Sequence, residues 1–312
     1  MRRKVGIVLF PGFTTIDLGA VSVFELANLQ HGGPFYDVTI LSDRDGMVSS
    51  VAGAMVSARA IEDGDYDTLL VFGTFQPLSN APAVIDMLRR AATAARRTAT
   101  VCSGLTLMGA TGLLDGQRVT THWSRADDLQ AMYPALKVEA EHIFLNEGKH
   151  WTCAGLTATF DLILAMIEAD CGTNIAWAVA RMLVLYHWRG GAQAQASPLL
   201  EMKPKSDRIR GVLNYVRQNL RQPLTVDRLA DHAGMSRRHL TRMFKSETGQ
   251  SPAKAIEAIR ADAARVFLPS ATLSLDTIAR ETGFSNAEQM RQAFVRLYGQ
   301  TPQALRQDAR RA

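Results

Sequence analysis

Along residues 1–190, short runs of apolar, β-branched residues alternate with stretches whose apolar positions recur every three or four residues. KVGIVLF, FYDVTILS, DTLLVFGT and TATVCSG have the length and composition of strands buried on both faces. TIDLGAVSVFELANLQ, APAVIDMLRRAATAARR and LTLMGATGLL lie between or after them with helical spacing. Strands without polar alternation, interleaved with helices, predict a parallel α/β sheet covered on both faces. IFLNEGKHWTCAG predicts a hairpin turning at Asn146-Glu147-Gly148, and LTATFDLILAMIEAD and NIAWAVARMLVLYH predict two closing helices.

The pattern then breaks. RGGAQAQASPLLEMKPKSD, from Arg189 to Asp207, crowds Gly, Ala, Gln, Ser and Pro without periodicity, which is linker composition. The predicted boundaries are a front domain 1–190, a linker 191–207 and an all-α back domain 208–312. The back domain repeats itself. Leu224, Asp227, Ala230, Gly234 and Ser236 recur at an offset of 49 as Leu273, Asp276, Ala279, Gly283 and Ser285. Phe244, Gly249, Gln250 and Pro252 recur at 50 as Phe294, Gly299, Gln300 and Pro302, so the second copy gains one residue at the start of its second helix.

Composition and charge change this picture in one respect. Of 312 residues, 47% are hydrophobic and 21% charged, as in a folded protein with a sizeable core. No apolar stretch is long enough for a membrane span, and the basic N-terminus leads into a buried first strand rather than a signal peptide. The three cysteines form no CxxC pair and no even framework, which points to a reducing cytoplasm. Net charge, however, is split. Residues 1–200 hold 15 Lys and Arg against 19 Asp and Glu, whereas residues 201–312 hold 20 against 11. A basic back domain suits a polyanion.

Each repeat reads as helix, glycine turn, helix. Val226 to His232 predicts the first helix, Gly234 a left-handed turn and Ser236 the N-cap of the second. That order is the helix-turn-helix, whose second helix enters the major groove of double-stranded DNA. In SRRHLTRMFKSE, burying Leu240, Met243 and Phe244 leaves Arg237, Arg238, Thr241, Arg242 and Lys245 outside. Ala287, Glu288, Gln289, Arg291 and Gln292 hold the corresponding places in the second copy. Arg suits the guanine acceptor pair, Gln suits adenine, and Glu accepts from cytosine. The segment resembles the DNA-binding domain of the AraC/XylS family of transcription regulators, on LADHAGMSRRHLTRMFK, the following GQSP, AIEAIRADAARVFL and IARETGFSNAEQMRQAFVRLYGQTPQALR. The resemblance implies that Arg238, Thr241 and Arg242 read one groove and Glu288, Gln289, Arg291 and Gln292 the next, about 34 Å along.

In the front domain the chemistry centres on TVCSGL. Cys102 ends a strand and faces a helix start, as a nucleophile elbow does, although Thr100 stands where a leading glycine is expected. Free amides at that helix start, at Ser103 and near Gly73-Thr74, favour an anion. The front domain resembles the ThiJ/PfpI superfamily, related to class I glutamine amidotransferases, on LFPGFTTIDLGAVSVFE, TLLVFGT, TVCSGLTLMGATGLLDGQRVTTHW and WTCAGLTATFDLILAMI. This implies a flavodoxin-like sandwich with Asp17 facing Cys102. A thiolate beside a carboxylate is unfavourable unless the acid keeps its proton.

Two readings stay open here. Asp17, Cys102 and Ser103 are similar to the isonitrile-hydratase branch, an active cysteine enzyme, with His122 as candidate base. Yet protease-like members place His directly after the cysteine, where this chain has Ser103. The alternative is a ligand pocket built from Asp17, Gly73, Thr74, Cys102, Ser103 and His122, which a two-unit DNA reader makes more useful than catalysis. The expectation is therefore a non-enzymatic regulator, of activator type. It would answer a small effector such as an amino acid or amine, work as a homodimer, and need neither cofactor nor metal. Cys153 and Cys171 read as core, Arg89-Arg90 and Arg96-Arg97 as solvated charge at a helix end, and Trp177, Met182 and Leu183 as core or dimer face.

Overall fold

The computed structural model describes residues 2–62, 66–74, 81–185, 188–191, 193–196, 202–268 and 273–311, the side chains of 81 and 308–311 left aside. It divides into two compact units, Met1–Gln195 and Ala196–Arg311. The end of the expected last front helix, 186–187, and parts of the linker, 192 and 197–201, lie outside the described residues.

The front unit runs β1 (Arg3–Val8), α1 (Gly19–His31), β2 (Tyr36–Ser42), β3 (Gly46–Ser49), β4 (Met55–Ala60), β5 (Thr68–Phe72), α2 (Ala81–Ala94) and β6 (Arg97–Val101). It continues α3 (Gly104–Gly109), β7 (Arg118–Val119), α4 (Ala126–Met132), β8 (Lys137–Val138), β9 (Phe144–Glu147), β10 (His150–Cys153), α5 (Ala158–Cys171) and α6 (Thr173–Met182). Eight strands form one sheet in the order β3-β4-β2-β1-β5-β6-β10-β9. Every pairing from β4 to β10 is parallel, and the β3–β4 and β9–β10 hairpins add antiparallel edges. All five residues of β5 and of β6 are buried, which requires cover on both faces. Phe24, Ile163 and Ile167 belong to one core cluster, while Leu88, Leu105 and Met108 belong to another.

Three expectations shift, and one hairpin joins the sheet without any sequence reading of it. The β3–β4 hairpin carries no strong apolar run; it leaves Met47 and Met55 exposed and is held by pairing to the sheet. The β9–β10 turn falls at Gly148-Lys149, with Asn146 already paired to Trp151. The last front helix stops at Met182, and Val184 turns the chain with φ 54°. Arg97 is not solvated. It opens β6, is buried, and donates to Asp170 at 2.7 Å and to Thr68 at 3.0 Å. A buried arginine is tolerable only when its charge and donors are matched in this way.

The linker's first residues belong to the front unit. Arg189 donates to the buried Asp161 carboxylate at 2.7 and 3.0 Å, and Gln195 donates to the Thr121 and His142 carbonyls. The back unit is helical: α7 (Asp207–Gln218), α8 (Val226–His232), α9 (Arg237–Thr248), α10 (Pro252–Phe267), α11 (Leu275–Glu281), α12 (Ala287–Tyr298) and α13 (Pro302–Arg311). Ser206, Thr225, Ser236, Ser251, Ser274 and Asn286 cap six of these, each side chain accepting from an amide three residues on. Such caps stabilise a helix by about 1 kcal/mol each. Leu229, Leu240, Phe244 and Ile259 pack one core, and Ile278, Met290 and Phe294 are buried in the second copy.

Candidate ligand pocket and nucleic-acid interface

Cys102 is held at φ 52°, a left-handed backbone that a cysteine rarely adopts. Three contacts fix it there. Its N–H donates to the Cys153 carbonyl at 2.9 Å, which continues the β6–β10 ladder past the strand end. Its carbonyl accepts from the Thr121 hydroxyl at 3.0 Å. Gly155, at φ 91°, lies so close that a Cβ there would run into the Cys102 side chain. Gly73 is likewise needed for approach, since a Cβ on it would strike Ser103. The glycine therefore provides clearance for the elbow.

Burial pushes the Cys102 thiol above its ordinary range; the neighbouring Ser103 N–H and hydroxyl and the charge of Arg125 act the other way, while Asp17 raises it further. The helix start does not leave a thiolate here, because desolvation outweighs it. Burial also raises the Asp17 carboxyl, although its oxygen accepts from the Thr14 N–H at 2.9 Å. The structure thus brings Asp17, Gly73, Cys102 and Ser103 together. Thr74 turns its hydroxyl to the Pro11 carbonyl at 2.6 Å, joining the loops after β1 and β5. His122 faces Ser124, with Nδ1 and Oγ 2.8 Å apart, and burial lowers its pKa.

Sequence reasoning missed Thr121, Arg125 and Gly155, which stand well beyond the cysteine in the chain without a local signal. Thr121 also lines a cavity of about 310 Å³ with Thr106, Arg125, Asp128, Leu129 and Met132, beside the elbow. Cys153 is fully buried, with its thiol pushed up to about 12 by desolvation, and donates no chemistry. Among the described residues, Glu139, Glu141 and His142 gather ligand atoms within 4.8 Å of one another. Arg118 already holds both Glu139 oxygens, at 2.7 and 2.8 Å.

In the back unit, Gly234 (φ 62°) and Gly283 (φ 85°) make the two left-handed turns. The first helix of each copy begins at Val226 and Leu275, the second at Arg237 and Ala287. The offset grows by one between them, so the inserted residue precedes the second cap. As a result Asn286, and not Ser285, takes the place of Ser236. Arg237, Arg238, Thr241, Arg242 and Lys245 are exposed on α9, above buried Leu240 and Phe244, with Met243 half-buried. Arg237 pairs loosely with Asp227 at 3.5 Å, and Thr241 donates back to the Arg237 carbonyl. On α12, Glu288, Gln289, Arg291 and Gln292 are exposed and Ala287 is half-buried. Glu288 accepts from Arg291 twice at 2.7 Å and from Gln292 at 3.0 Å, and these donors hold its carboxyl down at about 2. The Gln289 side chain accepts from the Ser285 N–H at 2.8 Å.

Residues 3–169 match the DJ-1/PfpI family, and residues 229–308 match a helix-turn-helix domain. The HTH-type transcriptional regulator GlxA of Rhizobium meliloti is 30% identical over 310 residues, 97% of this chain and 95% of its own length. Isonitrile hydratase of Pseudomonas putida is 30% identical over 189 residues, 59% of this chain and 78% of its own. An AraC family transcriptional regulator from Pseudomonas putida, at 20% identity, shares the fold over 58% of this chain and 99% of its own with a TM-score of 0.54. No helix among the described residues is long and apolar enough to cross a membrane.

Proposed function

Because this chain belongs to the DJ-1/PfpI family and ends in a helix-turn-helix domain, as does the regulator it matches along nearly its whole length, we propose that its DNA-binding back unit is governed by a small molecule held at the Cys102 elbow. The observation that carries the DNA half is the paired arrangement of left-handed glycine, polar cap and helix, with Arg or Gln outward on each second helix. Arg238, Thr241 and Arg242 would read one major groove, and Glu288, Gln289, Arg291 and Gln292 the next, with Arg237 and Lys245 on phosphates. For the front half, Asp17, the Ser103 amide and hydroxyl, and Cys102 supply donors and acceptors around a half-buried point. A small polar nitrogen compound, an amino acid or amine, suits such a site. Ligand binding controls DNA binding only as far as the ligand prefers one state of the chain.

The same reading carries a homodimer, because Leu29, Trp177 and Met182 leave apolar surface exposed on α1 and α6. It also carries an activator's role, a cytoplasmic setting and no catalysis. The enzymatic alternative draws on the strained elbow and on the likeness to isonitrile hydratase. Against it stand a thiol raised by burial and a His122 whose Nδ1 is engaged by Ser124. Thermal unfolding of the full chain across a panel of amino acids and amines tests the choice. A ligand at 100 times its Kd stabilises by about 2.7 kcal/mol, and Cys102→Ala should abolish that response while DNA binding persists. Turnover of an isonitrile or amide that disappears in Cys102→Ala would establish the enzyme instead.

A further inference from the structure

The two reader helices carry different electrostatics. On α9, Arg238, Arg242 and Lys245 are exposed, and among the described residues no ion pair or hydrogen bond engages their side chains. On α12 the position matching Arg238 is Glu288, so the sign is reversed at the same place on the motif. Its carboxylate takes two donors of Arg291 and one of Gln292. The Gln289 Oε1 accepts from the Ser285 N–H, which leaves its amide N–H groups as donors only. The outward face of α12 over 287–292 therefore carries no net charge, and its one arginine has two of its five donors occupied.

A phosphate gains little from such a face. Arg291 keeps three donors, but its charge is already matched by Glu288, which would stand as a like charge beside the phosphate. A base edge differs, because an exocyclic amine can donate to Glu288 while Arg291 keeps its partner. Among the major-groove edges, cytosine N4 is the amine that a carboxylate pairs with best, and Gln292 and the free donors of Arg291 remain for the neighbouring pair. We infer that Glu288 is a specificity-determining residue: it keeps the second reader off the phosphate backbone and admits it where a cytosine amine meets its carboxylate. The first reader then supplies most of the attraction to phosphate beside its own base contacts, and the second adds discrimination at this pair. This rests on α12 facing the duplex.

Full-length protein, wild type and Glu288→Gln, should be selected against a randomised duplex library and titrated on random duplex over a range of salt. The wild type should enrich one C·G pair that the variant no longer enriches, with about tenfold loss of preference at that pair. The other enriched positions should stay. On random duplex the variant should bind more tightly, with a salt slope steeper by about one. Glu288→Ala should behave alike, which separates the carboxylate from any effect of glutamine. Unchanged base preference, or an equal weakening on every duplex, would overturn the inference and make Glu288 a helix-start residue only. Arg242→Ala is the control for the reading beneath it. If Arg242→Ala weakens binding and Glu288→Gln alters nothing, this inference fails alone; if neither alters anything, the assignment of both readers fails.

Discussion

The two helix-turn-helix copies share a backbone but not a setting. Gly234 and Gly283 both adopt the left-handed turn, yet a Cβ on Gly234 would meet open space. A Cβ on Gly283 would run into the Leu220 carbonyl and the Arg260 guanidinium. Arg260 itself donates to the Leu220 and Gln222 carbonyls at 2.9 Å, so the segment after α7 is pinned against the second turn. The first copy keeps its glycine for dihedral reasons alone, and the second keeps it for dihedral and space together. A motif recognised from spacing thus conceals two different sources of constraint.

That contrast orders the expected effects. Gly283→Ala combines left-handed strain with overpacking and should destabilise the back unit by about 2–5 kcal/mol. Gly234→Ala should cost only the dihedral part, about 1–2 kcal/mol. Amide hydrogen exchange in α8 to α12 of the full chain reads both; equal losses would erase the distinction. Arg242→Ala should weaken binding to a selected duplex by about 1–3 kcal/mol, measured by fluorescence anisotropy. An equal loss on random duplex would make Arg242 a phosphate contact. The smallest difference concerns the caps. Ser236→Ala and Asn286→Ala should each cost about 1 kcal/mol in the same exchange experiment, since each side chain accepts one amide. Ser285→Ala should cost less, because its side chain caps nothing in the second copy; a larger loss would return the cap to Ser285.

Much of this was legible in the chain. The change in the repeat's offset showed one inserted residue and placed it after Ser285, at the start of the second helix, because glycine turns and caps are local demands written at fixed spacing; the fold puts it before the Asn286 cap. The cysteine at the end of TATVCSG showed the elbow for the same reason. What escaped was tertiary. Arg97 follows a helix-like run, and only the folded sheet delivers Asp170 to it from the end of α5. Gly155 is remote from Cys102 along the chain and becomes its neighbour through the β6–β10 pairing. Ser285 looked like the second cap because it aligned with Ser236, whereas the helix begins one residue later at the Asn286 cap.

Two exposed helices laid along a duplex, the first carrying most of the positive charge, make binding strongly dependent on salt. Binding of the full chain to duplex DNA, followed as potassium chloride rises, tests this most directly. The logarithm of the association constant should fall linearly with the logarithm of salt concentration, by about 0.9 for each phosphate neutralised, and Arg237→Ala or Lys245→Ala should each flatten that line by about one phosphate's share. A line that stays flat in the wild type, or keeps its slope when those side chains are removed, would contradict it.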